Sequence, residues 1–139
     1  MTQDKNPERT ARGLATVEKL TGKRLRAAYE ARIAAGGIDG DLARLAVEFA
    51  FAEPWSRPGL ELRERSLVVI SMMIALRQTQ ELKAHLHMGI SNGLTPAELG
   101  EVLIQVTPYV GFPAMNGAYA VLKDVLSERG LELPAGQET

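Results

Sequence analysis

The ten residues "LVVISMMIAL", 67 to 76, constrain the fold more than any other stretch of the sequence: wound as a helix they are apolar at every angle except at Ser71. A helix apolar all round must be covered all round, because apolar area left in water forfeits about 25 cal/mol per Å². A chain of 139 residues can barely supply that cover alone, so other subunits are expected to provide part of it. The length suits one domain with a real core and is short for two. The expectation is a single domain over 1–139, with an N-terminal helix at about 7–36, a core region at about 40–130 and a flexible tail at 131–139.

No period-2 stretch bounded by hairpin turns occurs, and the punctuation suits helices, so an all-α bundle of about six helices is predicted. Asn6-Pro7-Glu8 offers an N-cap, a proline at the first helical position and an acid in the first turn. The helix it opens carries Leu25, Ala28, Tyr29 and Ile33 on one stripe and runs to Gly36-Gly37. A second helix, from about Asp39 or Asp41 to Pro54, carries Leu42, Leu45, Ala46 and Phe49. "EPWSRPGL" reads as a loop, followed by helices at about 60–77 and 79–92, the latter ending at Gly93. Thr95-Pro96-Ala97-Glu98 is a capping box for a fifth helix, which Pro108 should kink or end. Pro113 opens a sixth, closed by Gly130.

Composition narrows the chemistry. Sixteen Lys+Arg balance seventeen Asp+Glu, with no long single-sign run, so neither a nucleic-acid nor a membrane-surface footprint is expected. The absence of cysteine excludes disulfides, zinc-thiolate sites, iron–sulfur clusters and thiol redox chemistry. The start "MTQDKNPERTARG" is polar and no apolar run reaches the ~18 to 20 residues that span a bilayer, so a cytoplasmic protein is expected.

Both histidines, His85 and His87, lie in the fourth helix. At i and i+2 they point about 200° apart and cannot share one metal ion, so no metal site is expected. With Leu82 at zero and about 100° per residue, Leu86, Gly89, Ile90 and Gly93 form the core stripe, His87 falls on an outer flank towards solvent, and His85 falls beside Glu81 on the other. Glu81 and His85, at i and i+4, can hydrogen-bond, and the carboxylate should raise the imidazole pKa into the range of an acid/base. The same spacing equally describes a surface ion pair worth a few tenths of a kcal/mol. Trp55 is a pocket wall or simple packing. Arg57, Arg63, Arg65 and Arg77 are surface residues or carboxylate clamps. Tyr109 and Asn116 flank a Gly-Pro turn where polar groups can meet a ligand.

Three blocks, "WSRPGLELRERSLVVISMMIAL", "ELKAHLHMGISNGLTPAELGEVLIQV" and "YVGFPAMNGAYAVLKDVL", resemble the carboxymuconolactone decarboxylase family over about residues 53–126. The set Trp-x-Arg-Pro-Gly-Leu, Glu-Leu-x-x-His, Asn-Gly-x-Thr-x-x-Glu and Gly-x-Pro-Ala-x-Asn is specific in combination. The likeness is to the decarboxylase branch rather than the alkylhydroperoxidase branch. The latter places a Cys-x-x-Cys where this chain has Gln78 and Glu81, and a relay glutamate where it has Ser66. Without thiols, thiol peroxidase activity is not expected.

The resemblance implies a small all-helical subunit assembled as a homo-oligomer, a hexamer or trimer, with no metal or organic cofactor. It implies a lyase that decarboxylates a small carboxylated lactone in aromatic-compound catabolism. The alternatives are a family member with a different small-molecule reaction, or a non-catalytic ligand-binding oligomer. Loss of the carboxylate beside an unsaturated lactone sends electrons into the lactone as a dienolate. The protein must then hold the retained carboxylate, stabilise the enolate oxygen and protonate carbon. Arg57, or else Arg65 or Arg77, suits the first task, Tyr109, Asn116 or the backbone near Gly111 the second, and His85 tuned by Glu81 the third, with Trp55 as a wall. The chain departs from the branch at Thr107-Pro108, His87 and Met88-Gly89.

Overall fold

The computed structural model describes residues 6–136. Among them are seven α-helices and no strand: α1 (Pro7–Thr21), α2 (Lys23–Ala35), α3 (Gly37–Leu45), α4 (Leu62–Ala75), α5 (Thr79–Ser91), α6 (Pro96–Val110) and α7 (Phe112–Glu128). The all-α expectation holds. The chain forms two compact units, one up to Glu61 and one from Leu62. Residues 1–5 and 137–139, the latter the end of the expected flexible tail, lie outside the described residues.

In the first unit the long helix expected over 7–36 is broken at Gly22, whose φ of 93° is left-handed backbone that glycine tolerates. Asn6 caps α1 by accepting from the Arg9 N–H, and α2 folds back against α1. The α2 stripe is not a core stripe: no residue of α2 is buried. A second break at Gly36-Gly37 is spanned by the Arg32 guanidinium, which donates to both Asp39 oxygens at 2.7 and 3.0 Å. Beyond Leu45 the helix widens into a π-helical turn, Ala46–Phe51, ahead of a short 3₁₀ turn at Pro54–Ser56.

The face that α3 and the π turn bury also differs from the expected one. Ala43, Val47 and Phe51 are buried, whereas Leu42, Leu45 and Phe49 are more than half exposed. The register follows from α1, whose Gly13 lies so close to the Val47 backbone that an added Cβ would stand 2.0 Å from its carbonyl oxygen. Only a residue without a side chain permits that approach, and it turns Val47 inward.

The second unit packs Ile70 and Ile74 of α4, Leu82 and Leu86 of α5, Leu99 and Leu103 of α6 and Leu122, Val125 and Leu126 of α7 into one core. Each such side chain contributes about 1.5–3 kcal/mol by leaving water. The opposite side of α4 stays bare, with Val68, Met72 and Leu76, spaced by four, 50%, 46% and 63% exposed. Ser66 is fully buried and accepts from Asn92 Nδ2 at 2.9 Å, tying the start of α4 to the end of α5. The capping box at α6 forms as expected. Pro108 neither ends nor removes the last turn: α6 continues two residues to Val110, and the Gly111 N–H closes it on the Thr107 carbonyl. Within the tail, Leu133 packs on the core against α6, its Cδ2 within 3.7 Å of where a Cβ on Gly100 would stand. Among the described residues no helix is long and apolar enough to cross a membrane.

Candidate functional site

α5 positions the candidate acid/base. Leu82, Leu86 and Gly89 are buried, as the wheel requires, which sets His85 half-buried at the edge of the core and Glu81 exposed one turn earlier. The pKa of His85 moves opposite to expectation. Burial pushes the imidazole below its ordinary value of 6.5, and the Glu81 charge pulls it up only in part. The cause is the difference in exposure: the ring has lost water, while the carboxylate that should compensate is screened by it. Burial in this chain therefore favours the neutral imidazole over the charged one.

His87 does not face solvent freely. Its Nδ1 accepts from Arg129 Nε at 3.0 Å, and its Nε2 lies 3.0 Å from Glu128 Oε2. Arg129 also donates to the His87 carbonyl at 3.1 Å and to Ser91 Oγ at 2.9 Å, while Lys83 Nζ donates to Glu128 at 2.6 Å. These bonds hold the Glu128 carboxyl below its usual range, through Lys83 first and His87 second. They fasten the end of α7 to α5, so His87 is occupied with structure.

Of the arginines, Arg77 has the most unusual backbone. Its φ of 57° makes it the one non-glycine residue of left-handed conformation among those described, a conformation that costs about 1–3 kcal/mol and clusters at functional sites. It stands between α4 and α5 and lines a cavity of 190 Å³ with Met73, Thr79, Leu82, Pro113 and Gly117. An arginine at the rim of an apolar hollow fits a carboxylate with an apolar body. That hollow is below the ~300 Å³ of ordinary small-molecule pockets, so it admits only part of a substrate. His85 is not among its lining residues, because the cavity meets the Leu82 face of α5.

The remaining candidates are dispersed. Arg65 is half-buried on α4, and Arg63 pairs with Glu98 of α6. Asn116 is exposed on α7, and Tyr109 is 83% exposed, so its hydroxyl faces water in the single chain. Trp55 is buried in the 3₁₀ turn of the first unit and Arg57 follows it, exposed, in extended backbone. Among the described residues no group of three or more acidic or histidine side chains could hold a metal ion. Of the cavity walls, Thr79 and Gly117 carry no sequence signal, whereas Pro113 was visible as the opening of α7.

Comparison with known proteins brings a family to this geometry. The model of the carboxymuconolactone decarboxylase family matches residues 40–124. A 4-carboxymuconolactone decarboxylase of Acinetobacter baylyi is 41% identical over 83 residues, 60% of this chain and 62% of that protein. A nitrosuccinic acid decarboxylase of Metarhizium robertsii is 31% identical over 84 residues, 60% of this chain and 59% of that protein. The chain thus spans about six tenths of the length of these curated relatives.

Proposed function

The chain belongs to the carboxymuconolactone decarboxylase family, and on that premise we propose that it is a decarboxylase of a small acid whose own framework accepts the electrons left by CO₂. Both relatives are named as decarboxylases, one of a carboxylated lactone and one of a nitro acid. Lactone and nitro groups share the capacity to delocalise a carbanion, as dienolate or nitronate, so neither reaction needs an electron sink from a cofactor. Given the higher identity to the first relative, 4-carboxymuconolactone and the breakdown of aromatic compounds are the substrate and setting we favour.

The observation that carries this reading is the place of His85, half-buried at the edge of the core and one turn from an exposed Glu81. The bond from ring carbon to carboxylate breaks, CO₂ leaves, and the electron pair enters the lactone carbonyl. Carbon then takes a proton, so each turnover consumes one proton. Burial works against the charged imidazole that would give that proton. A bound dianionic substrate supplies the missing stabilisation, because a nearby negative charge raises a histidine pKa. His85 thus takes up a proton as substrate binds and delivers it to carbon as the dienolate forms. Arg77 is the preferred clamp for the retained carboxylate, on the strength of its cavity and backbone; Arg57 and Arg65 are the alternates. Asn116 and Tyr109, exposed in the single chain, act on the enolate oxygen only where another subunit covers them. Trp55 is kept as a wall.

The same reading has the chain as a homo-oligomer, a trimer or hexamer. It is supported by the bare stripe of Val68, Met72 and Leu76 and by the outward Ile38, Leu42, Leu45 and Phe49, all above 45% exposed. The experiment is ultraviolet-monitored turnover of 4-carboxymuconolactone by wild type and His85→Ala. The reading expects turnover by the first and a loss of about 10²-fold or more in the second. Wild type inactive on this lactone and on nitrosuccinic acid would instead favour a ligand-binding role.

A further inference from the structure

The first unit contains a second, larger cavity, of 450 Å³, open to solvent on one side and lined by residues of α1, α2, α3 and the π-helical turn. Its apolar walls are Pro7, Ala11, Leu14 and Ile33. The volume lies within the range of small-molecule pockets. Two of its walls, α1 and α2, precede the stretch 40–124 that the family shares, so it is built largely by this chain's own N-terminal part.

One wall carries charge where stability does not call for it. Arg44 and Glu48 are both buried, with side chains 10% and 12% exposed. Arg44 Nη1 donates to Glu48 Oε2 at 3.3 Å, and its Nη2 stands 3.5 Å from Asp41 Oδ1. Both distances are long against the ~2.7–2.9 Å of a well-made charge-assisted bond. Thr10, by contrast, donates to the other Glu48 oxygen at 2.6 Å. The carboxylate is firmly engaged and the guanidinium is loosely held. A buried ion pair is weak support for a fold, since replacing both partners together by apolar residues is often neutral or stabilising. The widened turn that carries Glu48 is also of a kind frequently found at functional sites.

The buried charges on the walls identify the ligand class. Arg44 and Glu48 are one cation against one anion, while Arg26 is already engaged by Glu18 at 2.6 Å and Glu30 at 2.9 Å and Asp41 is more than half exposed to screening water. An anionic or cationic guest would leave uncompensated charge in a partly dry site. We infer that this cavity binds a neutral, ring-sized molecule with an apolar body and a carbonyl-type acceptor, which Arg44 anchors by donating an N–H to it. None of the residues lining the site is among those assigned to decarboxylation, and it stands or falls independently of that reading.

Three probes with one body test it: benzamide, benzoate and benzylamine, titrated into the ¹⁵N-labelled full chain. Benzamide is expected to shift the amides of Ala11, Gly36 and Gly40 with a Kd of about 1 mM, reasonable for so few atoms. Benzoate and benzylamine should bind at least about fivefold more weakly. Arg44→Leu should weaken benzamide about fivefold, the effect of one hydrogen bond. Ala11→Phe, which fills the cavity from an exposed helix position, should abolish the shifts while leaving the thermal melt in place. The inference is overturned if benzamide shifts none of these amides, if a charged probe binds as tightly, if Arg44→Leu binds benzamide unchanged, or if Ala11→Phe still responds.

Discussion

Replacing Gly13 by alanine sets two physical effects against each other, and they differ in sign. Gly13 lies inside α1, where helix propensity alone makes alanine about 1 kcal/mol the more stable residue. The structure predicts the reverse. An added Cβ would lie 2.0 Å from the Val47 carbonyl oxygen, 2.7 Å from Val47 Cγ1 and 2.8 Å from the carbonyl carbon. Ordinary carbon–oxygen contacts begin near about 3.3 Å, so α1 must move out by roughly 1.3 Å. Leu14, Val17 and Leu20, at 9%, 0% and 0% exposure, bury about 2 kcal/mol each. A gap of that size forfeits a quarter to a half of close-packed attraction, or about 1.5–3 kcal/mol, and strain adds about 1 more. After the propensity gain the first unit should lose about 2 kcal/mol. Trp55, the single tryptophan and buried within this unit, reports its unfolding in urea. With a slope of about 1–2 kcal/mol/M, the fluorescence midpoint should fall by about 1–2 M. A midpoint unchanged or raised would refute the close approach of α1 to Val47.

Two further outcomes concern the histidines. Because burial lowers the His85 pKa below 6.5 in the folded chain, the unfolded chain binds the proton more readily. Wild-type stability should therefore fall, relative to His85→Asn, as pH drops below about 6.5, and the difference should level off below the folded pKa; paired urea titrations from pH 8 to 5 check it, and a difference growing in the opposite direction contradicts the burial argument. Since His87 Nδ1 accepts from Arg129, ¹⁵N spectra at pH 7.5 should show His87 as the Nε2–H tautomer, and Arg129→Ala should cost about 1 kcal/mol and speed amide exchange at the end of α7. An Nδ1–H tautomer would contradict that hydrogen bond.

Much of the fold was legible because helix ends announce themselves locally. Thr95, Pro96 and Glu98 start α6 where their chemistry requires, and Gly93 and Gly130, at φ of 100° and 65°, follow α5 and α7. The break at Gly22 was not, since a lone glycine in a helical pattern costs only about 1 kcal/mol and reads as tolerated. The buried face of α3 was misjudged because the largest side chains, Leu42, Leu45 and Phe49, point outward. What decides the face is the fit of Gly13 against Val47, a contact between positions far apart in sequence. Helical angles placed His85 at the core edge, but the direction of its pKa depends on how much water each partner keeps. Pro108 does not end α6, which continues to Val110 and closes through the Gly111 N–H on the Thr107 carbonyl.

The most direct test of His85 as proton donor is decarboxylation of 4-carboxymuconolactone in D₂O, with the product read by NMR before it can hydrolyse. A proton delivered by one fixed imidazole reaches the dienolate from one face only. Wild type should give one deuterium per molecule, of a single configuration, on the carbon next to the lactone carbonyl, and His85→Ala should give slow turnover with both configurations. Deuterium on both faces with wild type, or a single configuration at full rate with His85→Ala, would contradict the account.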